Sequence, residues 1–96
     1  MDEETMKAVA EQLMTADMVT VGGQSVRVRK TSRHRLKTAH FTMGGREYEA
    51  IEQNPEKPSR WGKLAAEGHR VVQFRDVESN KYVGAVVDGK VTKYGG

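Results

Sequence analysis

The sequence contains no cysteine, so this 96-residue chain has neither a disulfide framework nor thiolate chemistry. It also lacks long apolar runs, because its longest ones have three residues, as in Ala85-Val86-Val87. A membrane-spanning helix needs about 20 apolar residues. The N-terminal stretch is acidic where a signal peptide would be basic. We therefore expect a soluble, cytoplasmic protein without a membrane partner, forming a single domain over residues 1–96.

Motifs for catalysis, metal binding and phosphate binding are missing too. The three histidines, His34, His40 and His69, never share the i, i+3 or i, i+4 spacing that would place two ligands on one helix face. No serine lies in a G-x-S-x-G turn, and no glycine-rich phosphate loop occurs. The one plausible acid/base pair, His40 with Glu49, is interpreted as a surface contact between two strands. We therefore predict a protein that is not an enzyme and has no metal or cofactor.

Two segments have helical patterns. Residues 3–16 place five apolar residues at i, i+3, i+4, i+7 and i+8, namely Met6, Val9, Ala10, Leu13 and Met14. Asp2 precedes this segment as a helix-capping residue. A shorter helix is predicted from Ser59, which caps it, to Glu67, with Gly68 following the last turn. The connection QNPEKP before it holds both prolines of the chain and is irregular for that reason.

The remaining segments alternate apolar and polar residues, which indicates strands. Gly22-Gly23, Gly44-Gly45 and Asp88-Gly89 are typical of two-residue hairpin turns, which need positive φ angles. A turn at 44–45 sets a register that pairs Phe41 with Tyr48, His40 with Glu49 and Lys37 with Glu52. One aromatic pair and two opposite-charge pairs then arise together, which supports this register. Gly84, in the middle of a strand, indicates a bulge or a close backbone approach.

These patterns predict an α+β fold in the order α-β-β-β-β-α-β-β-β. The sheet is twisted, mostly antiparallel and built of five to seven short strands, with closure into a barrel as an alternative. The N-terminal amphipathic helix packs across one face, and the second helix covers an end or an edge. The predicted core consists of Met6, Val9, Leu13, Phe41, Tyr48, Trp61, Leu64, Val72, Phe74, Val86 and Val91.

Acidic residues are absent from residues 18–46, which hold seven bases and are flanked by acidic stretches. Such a block either faces an anionic partner or is neutralised by the acidic stretches packed beside it. Strands over 26–30 and 36–43 would place Arg27 and Arg29 on one sheet face, and the loop TSRHR at 31–35 would project beyond them. The candidate nucleic-acid-binding residues are Arg27, Arg29, Lys30, Arg33, His34, Arg35 and Lys37.

The best hypothesis for function is a small binding domain that contacts nucleic acid or another polyanion through this segment. Guanidinium groups bind phosphate oxygens in pairs, which suits that role. Few aromatic residues are available to stack on bases, so backbone or shape recognition is expected rather than sequence readout. The alternative is a protein-interaction or homodimerisation domain that joins through a sheet edge or the methionine-bearing helix.

Overall fold

The computed structural model describes residues 1–95, in which two helices and eight strands are found. In chain order the elements are α1 (Glu3–Thr15), β1 (Met18–Val21), β2 (Gln24–Arg27), β3 (Arg29–Lys30), β4 (Lys37–Met43), β5 (Arg46–Glu52), α2 (Arg60–Ala66), β6 (Val71–Asp76), β7 (Lys81–Val87) and β8 (Lys90–Lys93). Strands β3 to β8 form a six-stranded antiparallel sheet in sequential order, and β1 pairs with β2 in a separate two-stranded sheet.

The prediction of an α+β fold is confirmed, and the alternative of closure into a barrel is wrong. The order β3-β4-β5-β6-β7-β8 leaves β3 and β8 as the two edges of the larger sheet within residues 1–95, so this sheet is open. Among the same residues, no helix combines the length and the apolar character that crossing a membrane requires.

Helix α1 forms as its sequence predicts and covers one face of the larger sheet. The Oδ1 atom of Asp2 accepts a 2.8 Å hydrogen bond from the backbone N–H of Thr5, which caps the first turn. The side chains of Met6, Val9 and Leu13 are fully buried against the sheet in the main core. Burial of each such side chain contributes about 1.5–3 kcal/mol, so docking on the sheet stabilises a helix that would be marginal alone.

The predicted hairpin registers are confirmed. Phe41 lies opposite Tyr48 and His40 opposite Glu49, around the turn at Gly44-Gly45. Both of these glycines have positive φ angles, 59° and 77°, as the turn requires. The hairpins at 22–23 and 88–89 are likewise formed. Hairpin turns of two residues leave no freedom of register, which is why the sequence alone determines these pairings.

One predicted strand is interrupted. The stretch 26–30 does not run as a single strand, because its pairing partner changes at Val28. The backbone N–H of Val28 still donates to the carbonyl oxygen of Asp17, directly before β1, at 2.8 Å. Residues before Val28 pair with β1, and Arg29 and Lys30 after it pair with β4. Five strands rather than four therefore precede α2, and they belong to two sheets.

Two glutamine side chains hold the small sheet in place by pairing with strand backbone. Gln12 on α1 exchanges two hydrogen bonds with the backbone of Thr20, at 2.8 and 3.1 Å. Gln24 on β2 does the same with the backbone of Thr42 on β4, at 2.6 and 3.2 Å. Each amide supplies one donor and one acceptor, as a neighbouring strand would. The two-stranded sheet is thereby fastened to both α1 and the larger sheet.

Most of the predicted core is buried, with an informative exception at Trp61. Trp61, Leu64 and Val91 are only partly buried, while the other eight predicted core residues are buried. The core lies between α1 and the sheet, whereas Trp61 on α2 contacts Tyr94 and borders a groove on the other side of the sheet. The prediction that Trp61 and Leu64 belong to the core is therefore wrong, whereas Val91 packs against the core at its margin. We call the sheet face opposite α1 the outer face.

Candidate functional site

A short loop between β3 and β4 projects three of the predicted site residues. Its base is closed by Thr31, whose N–H donates to the carbonyl oxygen of Leu36 at 2.9 Å and whose hydroxyl accepts from the N–H of Leu36 at 3.0 Å. The N–H of Arg35 donates a 3.2 Å hydrogen bond to the carbonyl oxygen of Thr31, and Arg35 has a φ of 57°. The tip residues Arg33, His34 and Arg35 are all exposed. A few backbone contacts thus fix a loop whose side chains face solvent.

The seven predicted site residues are distributed over three strands and this loop. Arg27 lies on β2, while Arg29 and Lys30 lie on β3, so Arg27 and Arg29 do not share one face of one sheet. This part of the prediction is wrong, because Arg27 pairs with β1 whereas Arg29 pairs with β4. All seven are exposed except Lys37, which is half-buried.

Lys37 has a role inside the fold. Its ammonium Nζ donates a 3.2 Å hydrogen bond to the carbonyl oxygen of Met14, in the last turn of α1. A cation at that end of a helix is favoured by the helix dipole. The predicted charge pair of Lys37 with Glu52 is not formed within residues 1–95, because the ammonium of Lys37 contacts Met14 instead. Glu52 accepts a 3.0 Å hydrogen bond from the backbone N–H of Lys37 through its Oε1.

The carboxylates that make ion pairs are engaged mostly away from the basic loop. Glu49 contacts Nε2 of His40 at 3.0 Å and the guanidinium of Arg75 at 2.9 Å. Asp76 contacts Arg46 at 2.6 Å. These pairs lie on β4, β5 and β6, beyond the predicted site. Glu49 and Asp76 are thus engaged by strand residues rather than by the loop.

The remaining bases of the segment have no such partner. In residues 1–95, no carboxylate lies within 4.0 Å of the charged groups of Arg27, Arg29, Lys30, Arg33 or Arg35. Only His34 has one, with its Nδ1 3.2 Å from Oε2 of Glu56. We call residues 27–35, with these six side chains, the basic segment. Five permanently charged groups there face solvent without a paired acid.

Arg29 connects the basic segment to the outer face of the larger sheet. Strand pairing aligns one residue from each of six strands in a single row, Arg29, Thr38, Ile51, Gln73, Ala85 and Thr92. Because side chains opposite each other in antiparallel strands share a face, Arg29 lies on the same face as Ile51 and Gln73. The core residues Phe74 and Val86 occupy the other face.

The outer face contains a groove of about 360 Å³ with three aromatic residues in its lining. Trp61 comes from α2, Tyr82 from β7 and Tyr94 from the end of β8. The rings of Trp61 and Tyr94 are 6.3 Å apart between centroids and tilted by 38°. Tyr82 is 49% exposed. Leu36, directly after the basic segment, also lines this aromatic groove, so the two features adjoin.

The floor of the aromatic groove carries a polar network. The hydroxyl of Tyr94 donates to Oε1 of Gln73 at 2.8 Å, and Nε2 of Gln73 donates to Oε1 of Gln53 at 3.1 Å. Nε2 of Gln53 donates in turn to the carbonyl oxygen of Asn54 at 3.2 Å. Burial raises the pKa of the Tyr94 phenol, against the opposing effect of its bond to Gln73. The network holds Tyr94 in a fixed position beside Trp61.

Two backbone features place the aromatic rings. The register between β6 and β7 shifts between Phe74 and Arg75, so Phe74 faces Gly84 while Arg75 faces Tyr82. This bulge puts Tyr82 in the outer-face row with Arg75. On α2, a Cβ atom at Gly62 would overlap the carbonyl oxygen of Lys57. The absence of that atom allows α2 to pack closely on the 53–58 connection. This packing places Trp61, on α2, at the groove.

The sequence contained signals for some of these features and none for others. Gly84 indicated a bulge or a close backbone approach, and Gly62 is the small residue that α2 needs. Neither reveals which face the neighbouring aromatic side chain occupies. Trp61, Tyr82 and Tyr94 come from three elements that only the tertiary fold brings together. The sequence interpretation that stacking residues are scarce therefore missed this groove.

A groove of about 590 Å³ lies between α1 and the ends of β6 and β7, bordered by charges of both signs, Glu4, Lys7, Glu11 and Arg70. The pair His40 and Glu49 lines neither groove. In residues 1–95, no three His, Asp or Glu side chains converge as metal ligands would.

Comparison with protein-family models, with curated proteins and with solved structures finds no match to this chain.

Proposed function

We propose that this protein binds nucleic acid through phosphate contacts made by the basic segment. The observation that carries the proposal is the set of five charged groups, on β2, β3 and the loop, that lack a carboxylate partner in residues 1–95. Four of the five are arginines, whose planar guanidinium groups form paired hydrogen bonds with phosphate oxygens. A regular array of phosphates satisfies several of them at once.

The backbone of the segment favours contact with a large anion. The Thr31 contacts hold the loop ends together, so the loop backbone loses little additional freedom on binding. Neutralising about five phosphates releases their counterions, which gives a logarithmic salt dependence with a slope of about −4. A small anion bound by one or two arginines would have a much shallower slope.

The alternative of self-association through a sheet edge has less support. The edge strand β3 has two residues, and the other edge, β8, carries Lys90 and Lys93. Short edges and lysines oppose pairing between edge strands. The methionines of α1 have partners already, since Met6 is fully buried and Met14 packs against the core. Sedimentation that gives a dimer at micromolar concentration would favour this alternative instead.

Fluorescence anisotropy with labelled single- and double-stranded oligonucleotides tests the proposal. The test variant combines Arg29→Gln, Arg33→Gln and Arg35→Gln. Its matched control, Lys7→Gln, Lys81→Gln and Lys93→Gln, removes the same charge from exposed residues on α1 or on the α1 side of the sheet. The test variant is expected to reduce the salt slope by about 3, since each lost phosphate contact removes about 1.

The control variant separates local contacts from net charge. We expect its salt slope to stay close to that of the parent, because its three lysines do not belong to the basic segment. Equal losses in both triple variants would mean that overall charge alone attracts the oligonucleotide. Absence of binding at micromolar protein and low salt would refute the proposal.

A further inference from the structure

We propose that the aromatic groove is a subsite for an unpaired base of a single-stranded nucleic acid whose phosphates lie along the basic segment. This inference rests on the proposed function and adds the class of nucleic acid. Its geometric basis is that both features belong to the outer face. Arg29 is two strands from Ile51 and three from Gln73 in one cross-strand row, a separation on the order of 10–15 Å.

The aromatic residues are arranged as a fixed and accessible platform. Trp61 is half-buried. The Cζ atom of the Arg60 guanidinium lies 4.9 Å from the centroid of its ring, and the ring of Tyr94 is its aromatic neighbour. The Tyr94 hydroxyl is held by Gln73, and Tyr82 remains about half-exposed. Rings that are fixed before binding can stack on a base without a large loss of side-chain entropy.

The charges around the groove suit a nucleotide rather than a purely apolar ligand. Lys57 lines it and Arg60 adjoins it through the Trp61 ring. Glu52 lines it as well, but Oε1 of that carboxylate already accepts the backbone N–H of Lys37. Leu36 joins the groove to the loop that carries Arg33 and Arg35. A chain of phosphates along the basic segment therefore leads to the groove.

Polar groups on the floor can contact the edge of a base. The side-chain amides of Gln53 and Gln73 each have two N–H donors, and each amide uses one of them within residues 1–95. The second N–H of each is left for a carbonyl or ring nitrogen of a base. Proteins recognise unpaired bases by stacking them on aromatic side chains and by hydrogen bonds to the base edges.

This geometry predicts a preference for single strands over duplexes. Bases in a duplex are stacked on each other, and one must leave the stack to enter a protein groove. Single strands present their bases freely, so only they gain the stacking contact without that cost. Loss of one base–aromatic contact weakens binding by about 5- to 150-fold.

The single tryptophan of the chain makes the test direct. Trp61 fluorescence is titrated with a single-stranded oligonucleotide and with the duplex of the same sequence, while anisotropy measures binding in parallel. We expect the single strand to change the Trp61 emission with the same Kd that anisotropy gives. The duplex is expected to bind more weakly and to change the emission less.

Two substitutions test the groove by different means. Tyr82→Leu, at an exposed site where folding is not at risk, is expected to weaken single-strand binding about 5- to 150-fold and duplex binding less. Tyr82→Phe keeps the ring and should lose less affinity than Tyr82→Leu. Trp61→Leu should have the same selective effect, with circular dichroism confirming that the variant is folded.

The outcomes separate this inference from the proposed function. Binding that depends on Arg29, Arg33 and Arg35 but leaves Trp61 emission and Tyr82→Leu affinity unchanged would overturn the inference and keep the proposed function. Absence of binding by either oligonucleotide would overturn both. A Trp61 emission change with a proline-rich peptide, and none with the single strand, would assign the groove to peptide recognition instead.

Discussion

The Tyr94 hydroxyl donates a 2.8 Å hydrogen bond to Oε1 of Gln73, and this bond ties the end of β8 to the middle of the sheet. Gln73 is buried, so its oxygen would lose a partner if the hydroxyl were removed. The bond also fixes the ring against Trp61. One contact thus stabilises the fold and positions the aromatic groove.

Tyr94→Phe is expected to lower the free energy of unfolding by about 1–3 kcal/mol, because it leaves the buried oxygen of Gln73 without its hydrogen-bond donor. Urea denaturation monitored by circular dichroism measures it. Tyr82→Phe is the matched control, because the Tyr82 hydroxyl has no hydrogen-bond partner in residues 1–95, and its effect should stay within about 0.5 kcal/mol. Equal effects of the two substitutions would contradict the assigned role of Tyr94.

Stability at alkaline pH should depend on the same residue. Burial raises the pKa of Tyr94 in the folded state above its ordinary value of 10.0. The folded protein therefore holds this proton more tightly than the unfolded chain, and stability falls as the pH rises above about 10. Thermal unfolding between neutral pH and pH 11 should show a smaller decrease for Tyr94→Phe than for the parent. Parallel curves for the two proteins would argue against this coupling.

The stability of the protein at acidic pH should depend on Asp76. The backbone N–H of Ser79 holds the pKa of Asp76 below its ordinary value of 3.8, with a further contribution from the Arg46 guanidinium and against the opposing effect of burial. Its stabilisation is therefore complete above about pH 4 and lost as the pH falls through the lowered pKa. Asp76→Asn should be less stable than the parent at neutral pH, and the difference should shrink in acid. The control Glu78→Gln, at an exposed neighbour, should show no such convergence in thermal melts.

The features that the sequence predicted correctly are those that short-range geometry determines. The turn at Gly44-Gly45 leaves one possible register, so the pairing of Phe41 with Tyr48 followed from it. The capping of α1 by Asp2 is equally local. In both cases the residues that decide the structure lie within a few positions of each other.

Contacts between distant segments determine the features that the sequence did not predict. The break at Val28 depends on the change of pairing partner from β1 to β4, and the exposure of Trp61 depends on how α2 packs against Lys57. The composition and periodicity of the sequence do not indicate such contacts. The basic segment was recognisable because its charges are contiguous in sequence, whereas the aromatic groove is assembled from three separate elements.

Gly84 should tolerate no side chain. A Cβ atom there would overlap the Cε atom of Met6 and lie 2.8 Å from the carbonyl oxygen of Thr92, which is backbone and cannot move aside cheaply. Gly84→Ala is expected to lower the free energy of unfolding by about 1–3 kcal/mol, as overpacking of a core does. Gly95→Ala, where a Cβ meets nothing within 4 Å, should change it by less than about 0.5 kcal/mol in the same urea titration. Equal midpoints for the two variants would contradict the close packing of α1 on β7.

Replacing Arg35 by glycine should raise stability but weaken binding. Its φ of 57° is in the left-handed region, which costs a residue with a Cβ atom about 1–2 kcal/mol relative to glycine. Glycine also makes the unfolded chain more flexible, which offsets about 0.4–1 kcal/mol of that gain. Arg35→Gly should therefore raise the free energy of unfolding, by up to about 1.6 kcal/mol. The same substitution should weaken oligonucleotide binding and reduce the salt slope by about 1.

Arg33→Gly is the matched comparison, because Arg33 lies in the same loop without a positive φ angle. It should remove one phosphate contact in the same way but give no gain in stability, since no strain is relieved. Urea denaturation and salt-dependent anisotropy on the two variants therefore separate backbone strain from charge. A loss of stability in Arg35→Gly would contradict the strain. An unchanged salt slope in both variants would mean that the loop does not contact the phosphates, and would restrict the interface to Arg27, Arg29 and Lys30.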